Sequence, residues 1–105
     1  MLISAEDDVT VVAGLLADPV RARIVRVLAR GPACVCHLVE DLDLKQPNVS
    51  NHVRVLRHAG LITGENRGKF TFYHLNHVML DTAAAQLSEL AATAREHAEA
   101  RRDCA

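Results

Sequence analysis

Gln46-Pro-Asn-Val-Ser-Asn-His-Val-Arg-Val-Leu-Arg-His-Ala-Gly60 is the stretch on which the reading of this chain turns. Val49, Val53 and Leu56 recur at spacings of four and three, the period of a helix buried along one stripe, and Gly60 supplies a left-handed stop. The other face carries Asn48, Ser50, Asn51, His52 and Arg54. A merely solvated face gains most from Glu, Lys and Ala, whereas Asn and Ser are poor helix formers with donors and acceptors suited to base edges.

Working outward, Ala33-Cys-Val-Cys-His-Leu-Val-Glu-Asp-Leu-Asp-Leu44 predicts a short helix over 35–42, with a turn at 43–45 before the polar helix. Two short helices joined by a tight turn, the second presenting such residues, form a helix-turn-helix whose recognition helix enters the major groove. Downstream, 61–65 and 69–75 predict the strands of a hairpin that turns at Gly68, with Arg67 and Lys69 flanking its tip. Phe70 and Phe72 fall on one face of the second strand and Thr71, Tyr73 and Leu75 on the other, so one aromatic face is expected to cover the core.

Upstream, a first helix is predicted over 6–17, with Glu6, Asp7 and Asp8 at its positive end and Val9, Val12, Ala13 and Leu16 along one face. Asp18 reads as an N-cap and Pro19 as the first residue of a second helix that stops before Gly31-Pro32. Its Arg21, Arg23, Arg26 and Arg30 are either a solvated face pairing with the acidic first helix or phosphate contacts. The last helix is predicted over 78–101, with Leu80, Ala83, Ala84, Leu87, Leu90, Ala91, Ala94 and Ala98 at helical spacing. So long a stripe exceeds what a small core needs and, with the first helix, is assigned to a dimer interface; covering the core of its own chain is the alternative.

The expected fold is therefore mainly α with a β-hairpin wing, a winged helix-turn-helix in the order α-α-α-α-β-β-α, dimeric through the terminal helices. Residues 1–105 are expected to form one DNA-binding and dimerisation domain, since no repeat, low-complexity tract or Pro/Gly/Ser-rich linker divides them.

Charge sharpens this. The net charge is −1, but residues 45–69 hold five basic and one acidic side chain, against four and seven in 1–44 and three and five in 70–105. One segment is built to meet phosphate, and double-stranded DNA is the expected partner. No apolar run approaches the roughly 18 residues of a membrane span, and the first residues lack a charged segment followed by an apolar one. A cytoplasmic protein without a membrane partner is expected. Nothing suggests an enzyme: a phosphate-cradling Gly-rich loop and a nucleophile–base constellation are both missing.

With these residues in view, the chain resembles the ArsR/SmtB family of bacterial metal-sensing repressors over about residues 9–95. The segments that carry the resemblance are Leu16-Ala-Asp-Pro-Val-Arg-Ala-Arg-Ile24, like the family's L-x-D-P-x-R-x-R-I/L; the recognition helix from Gln46 to Leu61; and Arg67-Gly-Lys69 followed by Tyr73. The resemblance implies a homodimer that binds an inverted-repeat operator through Lys45, Gln46, Asn48, Ser50, Asn51, His52, Arg54, Arg67 and Lys69. Lys45 stands where the family has a Ser or Thr cap; a cation there opposes the helix dipole, which reads as a phosphate contact or as a flexible surface lysine. His58 reads as surface.

Cys34-Val-Cys36 occupies the place of the family's E-L-C-V-C-D-L-C and C-V-C-D motifs. Two thiols one residue apart at a helix start can chelate a soft ion, and the dipole there favours thiolate. Val39 stands where the arsenic motif has its third cysteine and His37 where both motifs have Asp. An odd count of three cysteines, with Cys34 and Cys36 judged too close for an unstrained bridge, argues against a disulfide framework. Cys34 and Cys36 are therefore expected to hold As(III) or another thiophilic ion, with Cys104 from the partner's tail or His37 completing the site; a reactive-thiol switch and buried packing residues are the alternatives. The family's second site, on the last helix, is largely lost: His77 falls near its first position, but Met79, Leu90 and Thr93 take the others. His74, His77 and His97 remain an alternative nickel, cobalt or zinc site, each against a plain surface role.

Overall fold

In the computed structural model, residues 7–104 are described, as α1 (Asp8–Leu16), α2 (Pro19–Leu28), α3 (Val35–Leu42), α4 (Gln46–His58), β1 (Ile62–Arg67), β2 (Phe70–Leu75) and α5 (His77–Glu96). This is the winged helix-turn-helix order read from the sequence. Glu6, expected in the first helix, lies outside the described residues.

Local chemistry sets the boundaries. The Asp18 carboxylate accepts the N–H groups of Val20 (2.8 Å) and Arg21 (3.1 Å), and Pro19 supplies a preformed φ at the first turn of α2. Asp43 takes a left-handed conformation (φ 55°) that ends α3, and Gly60 (φ 88°) ends α4. Gly68 (φ 61°) turns the hairpin in two residues, so β1 runs on to Arg67 rather than stopping at Glu65. The register pairs Ile62 with Leu75 and Arg67 with Phe70. Asn76 locks the hairpin to the last helix: its amide donates to Gly60 O, its backbone N–H to Leu61 O, and its carbonyl caps Met79 N–H.

Ile24, Leu38, Val49, Leu56, Leu61 and Ile62 are sealed from solvent at the centre of the core, and each contributes about 1.5–3 kcal/mol by leaving water. Around them pack Val12, Leu15, Leu28, Leu42, Val53 and Ala83. Of the hairpin aromatics, Tyr73 packs against this core together with Leu75. Phe70 is 54% exposed and Phe72 half-buried on the opposite face of β2, so the core-facing side is that of Tyr73, and the two phenyl rings look elsewhere.

Two expectations are corrected. Among the described residues no ion pair joins the α2 arginines to the first helix: Arg21 Nε donates to Leu15 O (2.9 Å) and Arg23 Nη2 to Leu42 O (3.2 Å), where helix ends leave carbonyls without partners. The last helix ends at Glu96 instead of running to 101, because the residues beyond it meet no packing surface, and amphipathic packing rather than propensity holds most helices.

α5 packs along α1, where Val9 N–H donates to the Gln86 side-chain carbonyl at 2.8 Å. Only Ala83 of α5 is fully buried; Val78, Leu87 and Leu90 are 62%, 55% and 64% exposed. The molecule measures 62 × 34 × 24 Å with a radius of gyration of 17.8 Å, well above the ~13 Å of a compact chain this size.

Candidate DNA-binding face and effector site

The start of α4 lacks a side-chain cap, as Lys45 in the cap position implies, and Lys45, Gln46, Asn48, Asn51 and Arg54 all stand exposed on it. Ser50 is half-buried, and Arg54 donates to the Asn51 side chain at 3.4 Å. His52 departs from its expected place. It sits three residues after Val49 and four before Leu56, on the flank of the buried stripe; its Nδ1 is enclosed without a partner. Its charge, after the backbone hydrogen bonds from Arg21 and Val20, helps hold the Asp18 carboxyl below its ordinary value. His52 thus belongs to the contact between α2 and α4 more than to the open face.

On the wing, Arg67 lies 3.5 Å from Glu65 and 5.2 Å from the Phe72 ring centroid, while Lys69 is exposed at the tip. Glu65 also receives His74 Nε2 at 2.8 Å, and this hydrogen bond, then the Arg67 charge, lowers its pKa. Arg57, which the sequence reading passed over, ties recognition helix to wing. Its guanidinium lies 5.8 Å from the Tyr73 ring centroid and against Gly64, where an added Cβ would come within 2.9 Å of it. A glycine inside a strand, which marks a close approach by another group, was the available signal.

Cys34 caps α3 and is buried; Cys36 and His37 are exposed in its first turn, and the ligand atoms of all three lie within 4.8 Å of one another. Among the described residues this is the group of His, Cys, Asp and Glu positioned to hold an ion. Cys34 N–H donates to His37 Nδ1 at 3.2 Å, closing a capping box in which histidine replaces the usual Glu or Gln. The two cysteines, expected to be too close for an unstrained bridge, are placed together as a disulfide pair. With Cys34 extended and Cys36 already helical, the Cα atoms stand 5.4 Å apart, inside the ordinary range for a bridge.

Cys104 is exposed beyond the end of α5 and is not part of this cluster. The alternative histidines are not brought together either. His74 is bound to Glu65 on the hairpin, His77 faces Asp81 at 3.6 Å one turn along α5, and His97 closes the end of α5 against Thr93 O at 2.9 Å.

The cysteines sit beside the wing because Ala33 pairs with Tyr73 in an isolated antiparallel bridge. A cleft of about 490 Å³ opens there, lined by Cys34 and Cys36 together with Gln46 at the start of α4 and Lys69 at the wing tip. Beside it, a smaller cavity of about 170 Å³ is lined by Cys34, Cys36, His37, Phe70 and Phe72.

Residues 18–63, from the α2 cap into β1, match the profile described as "Bacterial regulatory protein, arsR family". The chain is 43% identical over 74 residues to the HTH-type transcriptional repressor SmtB of Mycobacterium tuberculosis, covering 66% of this chain and 55% of that protein. It therefore spans about half the length of that relative. It is 34% identical over 74 residues to the arsenical resistance operon repressor of Staphylococcus aureus, covering 70% of this chain and 71% of that one. An ArsR-like transcriptional regulator from Rhodococcus sp. RHA1 has the same fold, with a TM-score of 0.80 at 22% identity over 89% of this chain and 88% of that one. Motifs, element order and this likeness over most of a relative's length agree: the chain belongs to the ArsR family of bacterial regulatory proteins.

Proposed function

We propose that the protein is a dimeric transcriptional repressor that grips an inverted-repeat operator through α4 and the wing and lets go when a thiophilic ion such as As(III) binds the reduced Cys34–Cys36 pair. The observation that carries this is the single cleft in which the two cysteines meet Gln46 and Lys69. An ion drawn into that cleft bears directly on both parts of the DNA-binding surface.

Each residue set has its role. Asn48, Asn51 and Arg54 read base edges in the major groove, Lys45 and Gln46 meet backbone phosphate beside the uncapped helix start, and Lys69 meets phosphate at the wing. Leu87 and Leu90 on α5 supply the dimer seam, which sets two recognition helices about 34 Å apart on successive turns of DNA. Sulfur suits the ion, since two thiolates are soft anionic donors. The ion releases DNA only if it prefers the geometry that fits DNA poorly, because differential affinity alone moves such an equilibrium.

A second reading is favoured by the disulfide itself: the Cys34–Cys36 pair acts as a thiol-redox switch, its oxidised form taking the place of the ion-bound one.

The test is operator binding by the reduced chain, measured by fluorescence anisotropy on its own upstream DNA and on a scrambled duplex at several salt concentrations. Tight binding that prefers the upstream DNA by about 10³-fold or more supports the reading. Equal binding to both duplexes contradicts it.

A further inference from the structure

Arg57 is held in place but not satisfied. Its guanidinium lies 5.8 Å from the Tyr73 ring centroid, in room that exists because Gly64 has no side chain: a Cβ there would stand 2.9 Å from Cζ and Nη2. Packing thus fixes the group against the hairpin. Among the described residues, however, no carboxylate pairs with it and no acceptor receives its N–H groups. Glu65, the next residue of β1, turns to the other face, where His74 and Arg67 engage it. Arginine has five donors and no acceptor, so a fixed and unpaired guanidinium is a preformed fork for an oxyanion.

The surroundings fit such a group. A cleft of about 270 Å³ lies between α4 and the hairpin, lined by Ser50, Val53, Arg54 and Arg57 of α4, by Tyr73 of β2 and by Val35 of α3. No acidic residue lines it, two guanidiniums do, and among the described residues the Ser50 hydroxyl has no hydrogen-bond partner. The position of the cleft says which oxyanion it takes. Arg54 at its rim also bonds Asn51, so the cleft is continuous with the exposed face of α4, and its other wall is the hairpin that ends in Lys69. When a duplex takes α4 in its major groove and the wing at the neighbouring minor groove, the backbone strand dividing the grooves runs between helix and hairpin.

We propose that Arg57 and Ser50 clamp one DNA backbone phosphate in the cleft between α4 and the hairpin. This deepens, and rests on, the reading of α4 and the wing as the DNA-binding surface. The guanidinium needs no rearrangement to receive the phosphate, since Tyr73 and Gly64 already hold it, and a preformed donor loses little entropy on binding.

Operator binding is measured by anisotropy for wild type, Arg57→Gln and Ser50→Ala across a salt series, on scrambled DNA and on upstream DNA carrying one uncharged methylphosphonate linkage at each backbone position in turn. Arg57→Gln keeps a packing stem and donors but no charge. It should weaken binding to both duplexes about tenfold and lower the slope of log K against log salt by about one per subunit, with the melting temperature unchanged. One linkage in each half-site should cost the wild type about tenfold and cost Arg57→Gln nothing further, because the partner is already gone. Ser50→Ala should shrink the effect of that same linkage; a change confined to another linkage overturns the pairing of the two residues. An unaltered salt slope in Arg57→Gln, or losses that add at every linkage, overturns the clamp, and a lowered melting temperature beside it leaves Arg57 only the task of holding the hairpin. Inorganic phosphate titrated without DNA, followed by the Arg57 Nε–H resonance, should not saturate; saturation would give the cleft to a soluble anion and overturn the proposal. Wild-type protein that binds scrambled and upstream DNA equally fails the underlying reading, an outcome seen without any variant.

Discussion

Ala33 and Tyr73 exchange backbone hydrogen bonds in both directions, Ala33 N–H to Tyr73 O at 3.2 Å and Tyr73 N–H to Ala33 O at 2.8 Å. The residue before Cys34 is thereby bonded into the strand that returns from the wing tip. Tyr73 in turn lies beneath Arg57 of the recognition helix. On the proposed reading, a ligand that repositions Cys34 acts on strand and helix together.

Asn51→Ala and Arg54→Ala should each weaken operator binding by about 1–3 kcal/mol with thermal stability unchanged, since both side chains are exposed and touch mainly each other. Anisotropy titrations paired with thermal melts check this. Unaltered affinity in both variants would take α4 out of the reading role.

Lys69→Ala should weaken binding to all sequences alike and lower the slope of log K against log salt by about one. Arg67→Ala should lower it by less, because that guanidinium is already engaged by Glu65 and the Phe72 ring. Salt titrations of both variants on specific and scrambled DNA measure the difference, and a loss confined to one base pair would mean that the wing reads sequence.

Leu87→Glu should give a folded monomer. Leu87 is 55% exposed within one chain, so the fold does not need it, while a carboxylate in an apolar seam between chains has no partner. Sedimentation velocity with circular dichroism separates the outcomes, and a persistent dimer would place the interface elsewhere.

Asp18 gives a pH prediction. Backbone hydrogen bonds from Arg21 and Val20 hold its carboxyl below the ordinary value of 3.8. A carboxyl depressed in the folded state stabilises it fully above 3.8 and loses that contribution as pH falls through the lower folded value. Asp18→Asn keeps a capping oxygen but does not titrate, so its melting temperature should fall less steeply with acid than the wild type's. Parallel curves would mean that the cap charge carries no stability.

What was legible in the sequence was what is local. The period of Val49, Val53 and Leu56, the Asp18-Pro19 start and the Gly60 and Gly68 turns each act within a few residues, and each stands where it was read. The Ala33–Tyr73 bridge spans forty residues and leaves no periodic trace, so the phenyl rings beside the cysteines were invisible, and the aromatic face was assigned without knowing which side met the core. For Arg21 and Arg23, charge offered carboxylates of the first helix or phosphate as partners; the acceptors they meet are helix-end carbonyls, which composition does not display. The same holds for His52, whose place on the flank of the stripe outweighs its polar character.

The most direct test of the account is release of operator DNA by arsenite, followed by anisotropy in wild type and in Cys34→Ser/Cys36→Ser, both phosphine-reduced. Serine keeps the size but offers no soft anionic ligand at neutral pH. The account predicts that the wild type releases DNA as the ion is added, while the double variant binds DNA as tightly without ion and stays bound. Release from the double variant at the wild-type ion concentration would contradict it and move the effector site to other residues.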